Sequence, residues 1–436
     1  MRKGFILVFA LVCLPGTILA LRLPANETTT IEEEIPNWSA PFFGDQSGAL
    51  GYGEDAFSRP KGLEDRVEFW KEIYTKHSSY QGVLHDSRYV HLVYGVVDFS
   101  DLKDLEKESR KKFLREKDRR IDQAKNVIRE KLKSFQNPTS PEPLSPQDEK
   151  LKSLFDSVDE DNKYIEASKD GRLRFQLGQS DVFAEGIRQS GQYIRQMEAI
   201  FREEGMPVEL TRMVFVESSF NLKAQSRVGA SGIWQFMPRT GRRYLRIDGS
   251  VDERNHPLFA TRAAARYLRQ NYKMLEDWPL AVTGYNHGAY GILRLSKKLQ
   301  SKDIADFVDF RKGSFGFASA SFYASFIAAL EVEKEAAKYY GPLKVEFPVL
   351  GETYRLKRNL SARKILEFFE GDLERAKKLN PHIRRAVWQN RIRVYRRNRI
   401  RLDIKAIERM EEWKDHNLYL EKISSYFQHE RRKAIA

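Results

Sequence analysis

Glu217 is the side chain of this sequence best placed for acid–base chemistry. It stands within the stretch Glu209 to Pro238, ELTRMVFVESSFNLKAQSRVGASGIWQFMP. Leu210, Met213, Val214 and Glu217 recur at i, i+3, i+4 and i+7, so on a helix they share one face. That face is apolar except for its last member. A carboxyl group there loses water and sits near the negative end of the helix dipole. Both effects favour the protonated form, which is what a general acid needs at neutral pH. The competing reading is a helix-end glutamate turned out to solvent.

The residues after the helix set the surroundings of that acid. Ser218, Ser219 and Phe220 end the helix, and Gly229-Ala230-Ser231-Gly232 form a small-residue turn. A dense run follows, Ile233-Trp234-Gln235-Phe236-Met237-Pro238. Glycines let a backbone come close to another group. Trp234, Phe236 and Met237 offer flat or adaptable apolar surface, and Gln235 offers an amide. Flat aromatics beside an amide and a lone acid describe a sugar cleft, with core packing the alternative for Trp234 and Phe236. A conventional glycosidase needs a second carboxylate about 5–9.5 Å from the first. Glu209 is eight residues back on the same helix, roughly 12 Å away. No acid occurs from Ser218 through Ile247. A one-carboxylate mechanism therefore fits better.

Glu217-Ser218, the run Gly229 to Pro238 and, further on, Tyr285-Asn286-His287-Gly288 resemble, in order and spacing, the motifs of lytic murein transglycosylases of the soluble-transglycosylase domain family. The resemblance covers about residues 181–340, and more loosely 341–402. It implies a mainly α protein with a lysozyme-like catalytic domain acting on the glycan strands of peptidoglycan, with no cofactor and no metal. It implies Glu217 as acid and then base, giving 1,6-anhydro ends. It also implies Ser218 as orienter of the carboxylate, Tyr285 as a hydrogen-bonding neighbour and Asn286 as holder of its loop. Gln235, Met237, Trp234 and Phe236 would line the sugar subsites. Trp234 stands where many relatives have Met, although one branch also has Trp, and Gly284 stands where Ala is usual. Two other readings remain: a muramidase using water, if Asp248, Asp252 or Glu253 supplies a second carboxylate, and a non-catalytic wall-binding scaffold.

The rest of the chain must position these residues. Its 436 residues allow two or three domains, and a hydrophobic fraction of 41% supports a sizeable core. The expected organisation begins with a signal peptide over 1–20, where Arg2 and Lys3 precede an apolar run ending before Pro15-Gly16. A flexible lead-in (21–62) and an accessory region with a long charged helix (63–136) follow. A Pro-rich linker (137–146) and a helical connector (147–180) lead to the catalytic domain (181–340). A small basic αβ unit (341–403) and a charged helical tail (404–436) complete the chain. The leader implies an exported, periplasmic or envelope-associated protein. Cys13, the single cysteine, falls inside it, and Val12 before it argues against lipidation. His77, His85 and His91 match no metal-ligand spacing.

The net charge of +14 asks for an anionic partner. Arg384, Arg385, Arg391, Arg393, Arg396, Arg397, Arg399 and Arg401 concentrate it in one segment. Only Trp388 and Tyr395 interleave them, too few for base stacking, and the leader also argues against nucleic acid. The expected contact is the anionic wall or a membrane face.

Overall fold

A computed structural model describes residues 57–136, 143–310 and 315–423. The leader and most of the lead-in (1–56), the first part of the linker (137–142), residues 311–314 and the end of the tail (424–436) lie outside the described residues. The fold is mainly α, as expected. Its centre is the helix Phe317–Lys334, FASASFYASFIAALEVEK, whose small and aromatic residues are buried on nearly every side. A helix apolar all round must be enclosed by others. Glu64–Thr75 lies along it, and the short helix Met213–Ser218 packs against it. One continuous core runs from Leu63 through the 181–340 region to Leu420.

A buried ion cluster fixes where the short helix begins. Gly205-Met206-Pro207 leads into a 3₁₀ turn, Val208–Arg212, rather than straight into an α-helix. Arg212 at its end is fully buried. Its guanidinium meets Glu198, on the helix Ile194–Glu203, and Glu333, on the central helix, at 3.2 Å. Two carboxylates from two helices thus hold the start of the segment that carries Glu217.

The N-terminal part differs from expectation in its connector. Strands β1 (Gln81–Asp86) and β2 (Val93–Asp98) pair antiparallel, and β3 (Leu173–Leu177) joins β1 on its other edge. The stretch expected to be a helical connector therefore ends in a strand. Leu173 and the neighbouring aromatics bury against the long helix Arg110–Gln136, in a second core with Leu84, Phe99, Leu132 and Phe155. That helix starts at Arg110 because the chain is extended at Ser109. Glu64–Thr75, placed with the accessory region by sequence, contributes Val67, Ile73 and Tyr74 to the main core instead. The last residues of the lead-in also dock: Phe57 packs edge-on against Phe326 at 5.5 Å.

The C-terminal unit is an antiparallel sheet with helices laid over it. Strand β4 (Glu352–Leu356) lies between β5 (Arg399–Leu402) and β6 (Leu420–Lys422). Residues 345–349, expected as a strand, are extended but join no sheet. Their backbone donates instead to the carbonyls of Arg188 and Gln192. In the basic segment only Arg399–Leu402 forms a strand, because Asn390 and Arg397 turn through left-handed conformations. The tail gives the helix Ile404–Glu411 and then closes the sheet with β6.

This unit is seated on the loop 246–256. Asp252 N–H donates to the His382 carbonyl at 2.8 Å, and Arg384 N–H donates to the Ser250 carbonyl at 3.0 Å. Asn398 Nδ2 donates to Asp248 at 3.0 Å, and Arg399 pairs with buried Glu253.

Removing one member of a buried ion cluster leaves the others uncompensated, typically at a cost of about 3–5 kcal/mol. Arg212→Met is therefore expected to lower the thermal midpoint sharply. Adding Glu198→Leu and Glu333→Leu should restore most of the loss. A calorimetric scan in which the single variant melts with wild type would contradict this role for Arg212.

Candidate active site

Glu217 lies in the last turn of Met213–Ser218, with Leu210, Met213 and Val214 beneath it and fully buried. The chain then reverses through two left-handed residues, Ser219 (φ 47°) and Phe220 (φ 56°). Gly186 makes room for this turn, since a Cβ there would come within 2.6 Å of the Ser219 carbonyl. Glu217 itself is 5% exposed. Among the described residues its carboxyl makes no hydrogen bond and no ion pair. Burial without a donor penalises the anion, and it pushes the Glu217 carboxyl from the ordinary 4.5 up to about 8.

Tyr285 is the titratable neighbour of that carboxyl. It comes from the helix Trp278–His287, and its hydroxyl donates to the Trp234 carbonyl at 2.9 Å. Burial first, then the charge of Glu217, then Tyr267, hold its phenol well above its usual value. The order of titration follows: Glu217 ionises while Tyr285 is neutral, and the resulting carboxylate then holds the phenol proton on. The sequence reading missed Tyr267, which stands 5.2 Å from the Tyr285 ring within the Ala-rich helix Pro257–Leu275.

The run 229–238 is tied down from several sides. Ser218 Oγ donates to the Ile233 carbonyl at 2.8 Å, so this hydroxyl couples the residue after Glu217 to the turn. It gives its proton to backbone, not to the carboxylate that it was expected to orient. Ser231 Oγ donates to Asn255 Oδ1 at 2.6 Å. Arg254 reaches under the turn and donates to the carbonyls of Gly229 (2.7 Å) and Phe236 (2.9 Å). Asp252 holds that guanidinium through bonds of 2.8 and 2.9 Å. Gly232 (φ 77°) lets the turn pass, as a Cβ there would sit 1.8 Å from the Arg254 carbonyl. In sequence, Asp252-Glu253-Arg254-Asn255 reads only as a polar turn, and nothing local marks Arg254 as a clamp.

Two residues expected to line sugar subsites do not. Trp234 has no exposed surface. Its indole N–H donates to Thr261 Oγ1 at 2.9 Å and its ring stacks on Phe201 at 5.8 Å. Phe236 is 2% exposed and packs against Tyr285. Neither offers a free face to a ligand, because both rings fill the core beneath the turn. Gln235 and Met237 are half-buried. Gln235 takes a left-handed conformation (φ 46°), and its Nε2 donates to the Gly232 carbonyl at 2.7 Å, leaving its side-chain oxygen uncommitted. Asn286 accepts from Ser319 Oγ at 3.0 Å, and His287 Nδ1 lies 3.2 Å from the same hydroxyl. Asn286 therefore ties its helix end to the central helix.

No candidate second carboxylate is free to face Glu217. Asp252 is spent on Arg254. Glu253 is 1% exposed, pairs with Arg399 at 2.7 Å and accepts from Arg246 N–H. Asp248 caps the turn at Ser250 and Val251 and accepts from Asn398. Of the eight arginines expected at an anionic surface, Arg401 is 2% exposed, and its Nη2 donates to the Gly351 carbonyl at 2.8 Å. Arg399 covers the Phe259 ring, and Arg384 serves the docking loop through the Asp248 carbonyl. Arg385, Arg391, Arg393, Arg396 and Arg397 remain exposed. His85 is enclosed by Phe69 and Phe317, and His91 meets Asp65, so the early histidines serve separate packing roles. Among the described residues no group of three metal-capable side chains forms, and no helix is long and apolar enough to cross a membrane.

The burial of Glu217 carries a test independent of activity. Between about pH 4.5 and 8 the folded carboxyl keeps a proton that the unfolded chain releases, so wild-type stability falls as pH rises through that window. Glu217→Gln removes the penalty. At pH 7 the variant is expected to be more stable by up to about 3 kcal/mol, with the gain vanishing near pH 4.5. Thermal midpoints of both proteins across pH 4–9 decide it, and a gain independent of pH would refute the buried, proton-holding carboxyl.

The family model "Transglycosylase SLT domain" matches residues 195–308. Two curated relatives, both membrane-bound lytic murein transglycosylase D, come from Escherichia coli (strain K12) and Escherichia coli O6:H1 (strain CFT073). Each is 29% identical to this chain over 159 residues, which is 36% of this chain and 34% of the relative. The match thus spans about a third of the length of these relatives. An inactive variant of lytic transglycosylase Slt from Pseudomonas aeruginosa aligns at 17% identity over 35% of this chain and 25% of that one. Its TM-score of 0.27 is too low to bear on the fold.

Proposed function

With a transglycosylase SLT domain over residues 195–308, we propose that this protein is a peptidoglycan lytic transglycosylase that cleaves glycan strands without water. The observation that supports this most is the undonated carboxyl of Glu217 among the described residues, poised near neutrality while Asp248, Asp252 and Glu253 are each engaged elsewhere. A single group that must give a proton and then take one back needs a pKa near the working pH.

In this reading Glu217 protonates the oxygen linking N-acetylmuramic acid to N-acetylglucosamine. The C1–O bond breaks, and the substrate N-acetyl group stabilises the positive centre. The Glu217 carboxylate then takes the proton from the muramoyl C6 hydroxyl, whose oxygen bonds to C1. The product is a 1,6-anhydro end, and Glu217 is reprotonated for the next turnover. Ser218 and Tyr285 act as positioning residues through the backbone of Ile233 and Trp234. Gln235 and Met237 edge the sugar subsites, while Asn286 holds its helix end. The protein works outside the cytoplasm, in the periplasm or on the envelope. Arg385, Arg391, Arg393, Arg396 and Arg397 face the anionic wall or a membrane surface.

Mass spectrometry of soluble products from purified sacculi tests the reaction. Wild type is expected to release anhydro-muropeptides, and Glu217→Gln to lose about 10²–10⁴-fold in rate. The wild-type rate should fall as pH rises through about 8, where the acid is lost. Reducing muramic ends would make water the nucleophile and the protein a muramidase. No product from either protein would point to a binding scaffold.

A further inference from the structure

A cleft of about 740 Å³ opens where the C-terminal unit meets the catalytic region, away from Glu217. Seven cationic side chains line it against two acidic ones, and one of those acids, Glu253, is already neutralised by Arg399. From the catalytic side come Arg242, Tyr244 and Arg246, at alternate positions immediately after the helix Pro238–Gly241. From the C-terminal unit come Arg355 and Lys357, whose i, i+2 spacing puts both on the outer face at the end of β4, with Leu356 buried between them. Arg396 and Arg397 complete the wall. Their backbone N–H groups are fixed to Asn359 Oδ1 (2.8 Å) and the Leu356 carbonyl (2.6 Å).

Arg399 pairs with Glu253 and Lys357 donates to the Asn417 carbonyl, but the other five cations do not hold the fold together. Arg242, Arg246, Arg355, Arg396 and Arg397 are exposed, and their side chains make no hydrogen bond or ion pair among the described residues. Like charges gathered in one concavity repel each other and focus a positive potential. Among the described lining residues only Glu421, opposite Arg355 across β4 and β6, and Glu253, paired with Arg399, offset that cost, and an oxyanion would offset the rest. Guanidinium groups match carboxylates in a two-pronged fashion that a lysine surface would not. The cleft is also joined to the site. Its first residues follow the Trp234–Pro238 run, and the Arg254 stem that clamps that run packs against Gly241 at the cleft's edge.

We propose that this cleft binds the carboxylates of the peptide stems carried by the glycan strand held at Glu217. The inference rests on the proposed transglycosylase reading and deepens it. The strand would be read twice, by its sugars at the acid and by its charged side branches at the junction of the two units. Stem-bearing strands are then preferred over bare glycan, and the preference weakens with salt.

Calorimetric titration of the full chain carrying Glu217→Gln, so that strands stay intact, tests the cleft. The probes are soluble glycan strands with their peptide stems and the same strands stripped of peptides. Adding Arg242→Ser, Arg355→Ser and Arg396→Ser is expected to weaken stem-bearing strands at least tenfold and to leave stripped strands within twofold. The thermal midpoint should not move, because these side chains support no neighbour. Equal effects on both strands, or no effect on either, would overturn the proposal. So would vesicles of anionic phospholipid losing affinity while strands do not. Failure of the transglycosylase reading shows separately, as wild type releasing no anhydro product. The two-strand comparison reads binding to an uncleaving protein and decides the cleft in either case.

Discussion

A carboxyl group buried with no donor is the constraint that organises this protein. Taking Glu217 out of water makes its anion expensive, and no hydrogen bond or cation among the described residues refunds that cost. The arrangement persists only because the surrounding structure leaves the side chain no alternative. Arg212 and its two glutamates fix the start of the short helix, and two left-handed residues fix its end. Between them the chain has six residues in which to turn outward, and the face that carries Glu217 is packed throughout.

The second layer of control is the backbone rather than the side chains of the run 229–238. Trp234 and Phe236 anchor it from below, Ser218 and Tyr285 hold its carbonyls from the side, and Arg254 holds two more from beneath. The aromatic rings thus set the height and tilt of the turn. What faces outward is the part-buried edge of Gln235 and Met237. A run that looks in sequence like an aromatic platform is in space a peg driven into the core.

How much of this was legible depends on the range of the interaction. Glu217 at the end of an apolar stripe is a local pattern, and spacing offered its burial beside the alternative of a helix end turned out to solvent. The strand Gln81–Asp86 and the helices over 260–275 and 362–368 likewise declare themselves through periodicity and propensity. Trp234 was misread because the same aromatic suits a sugar face or a core, and only its distant partners, Thr261 and Phe201, decide between them. Strand β3 was missed because its pairing with β1 spans some ninety residues of sequence and includes charged positions such as Arg174. Arg254 as a clamp, Arg401 as a buried cation and the convergence of Arg242 with Arg355 are likewise products of chain topology, invisible to any window of neighbouring residues.

The loop 246–256 answers to two masters. Asp252 accepts from Arg254, which holds the run 229–238, and also from Arg384 of the C-terminal unit. Glu253 is buried against Arg399 from that same unit. A rearrangement of the gene that exchanged everything after residue 340 would therefore strip buried Glu253 of its cation and leave Asp252 with Arg254 alone. The two units look like separable modules on a linear map, yet they share one set of charges. A substitution at Arg384 or Arg399 therefore acts at a distance, reaching the loop beneath the run 229–238 through Asp252 and Glu253.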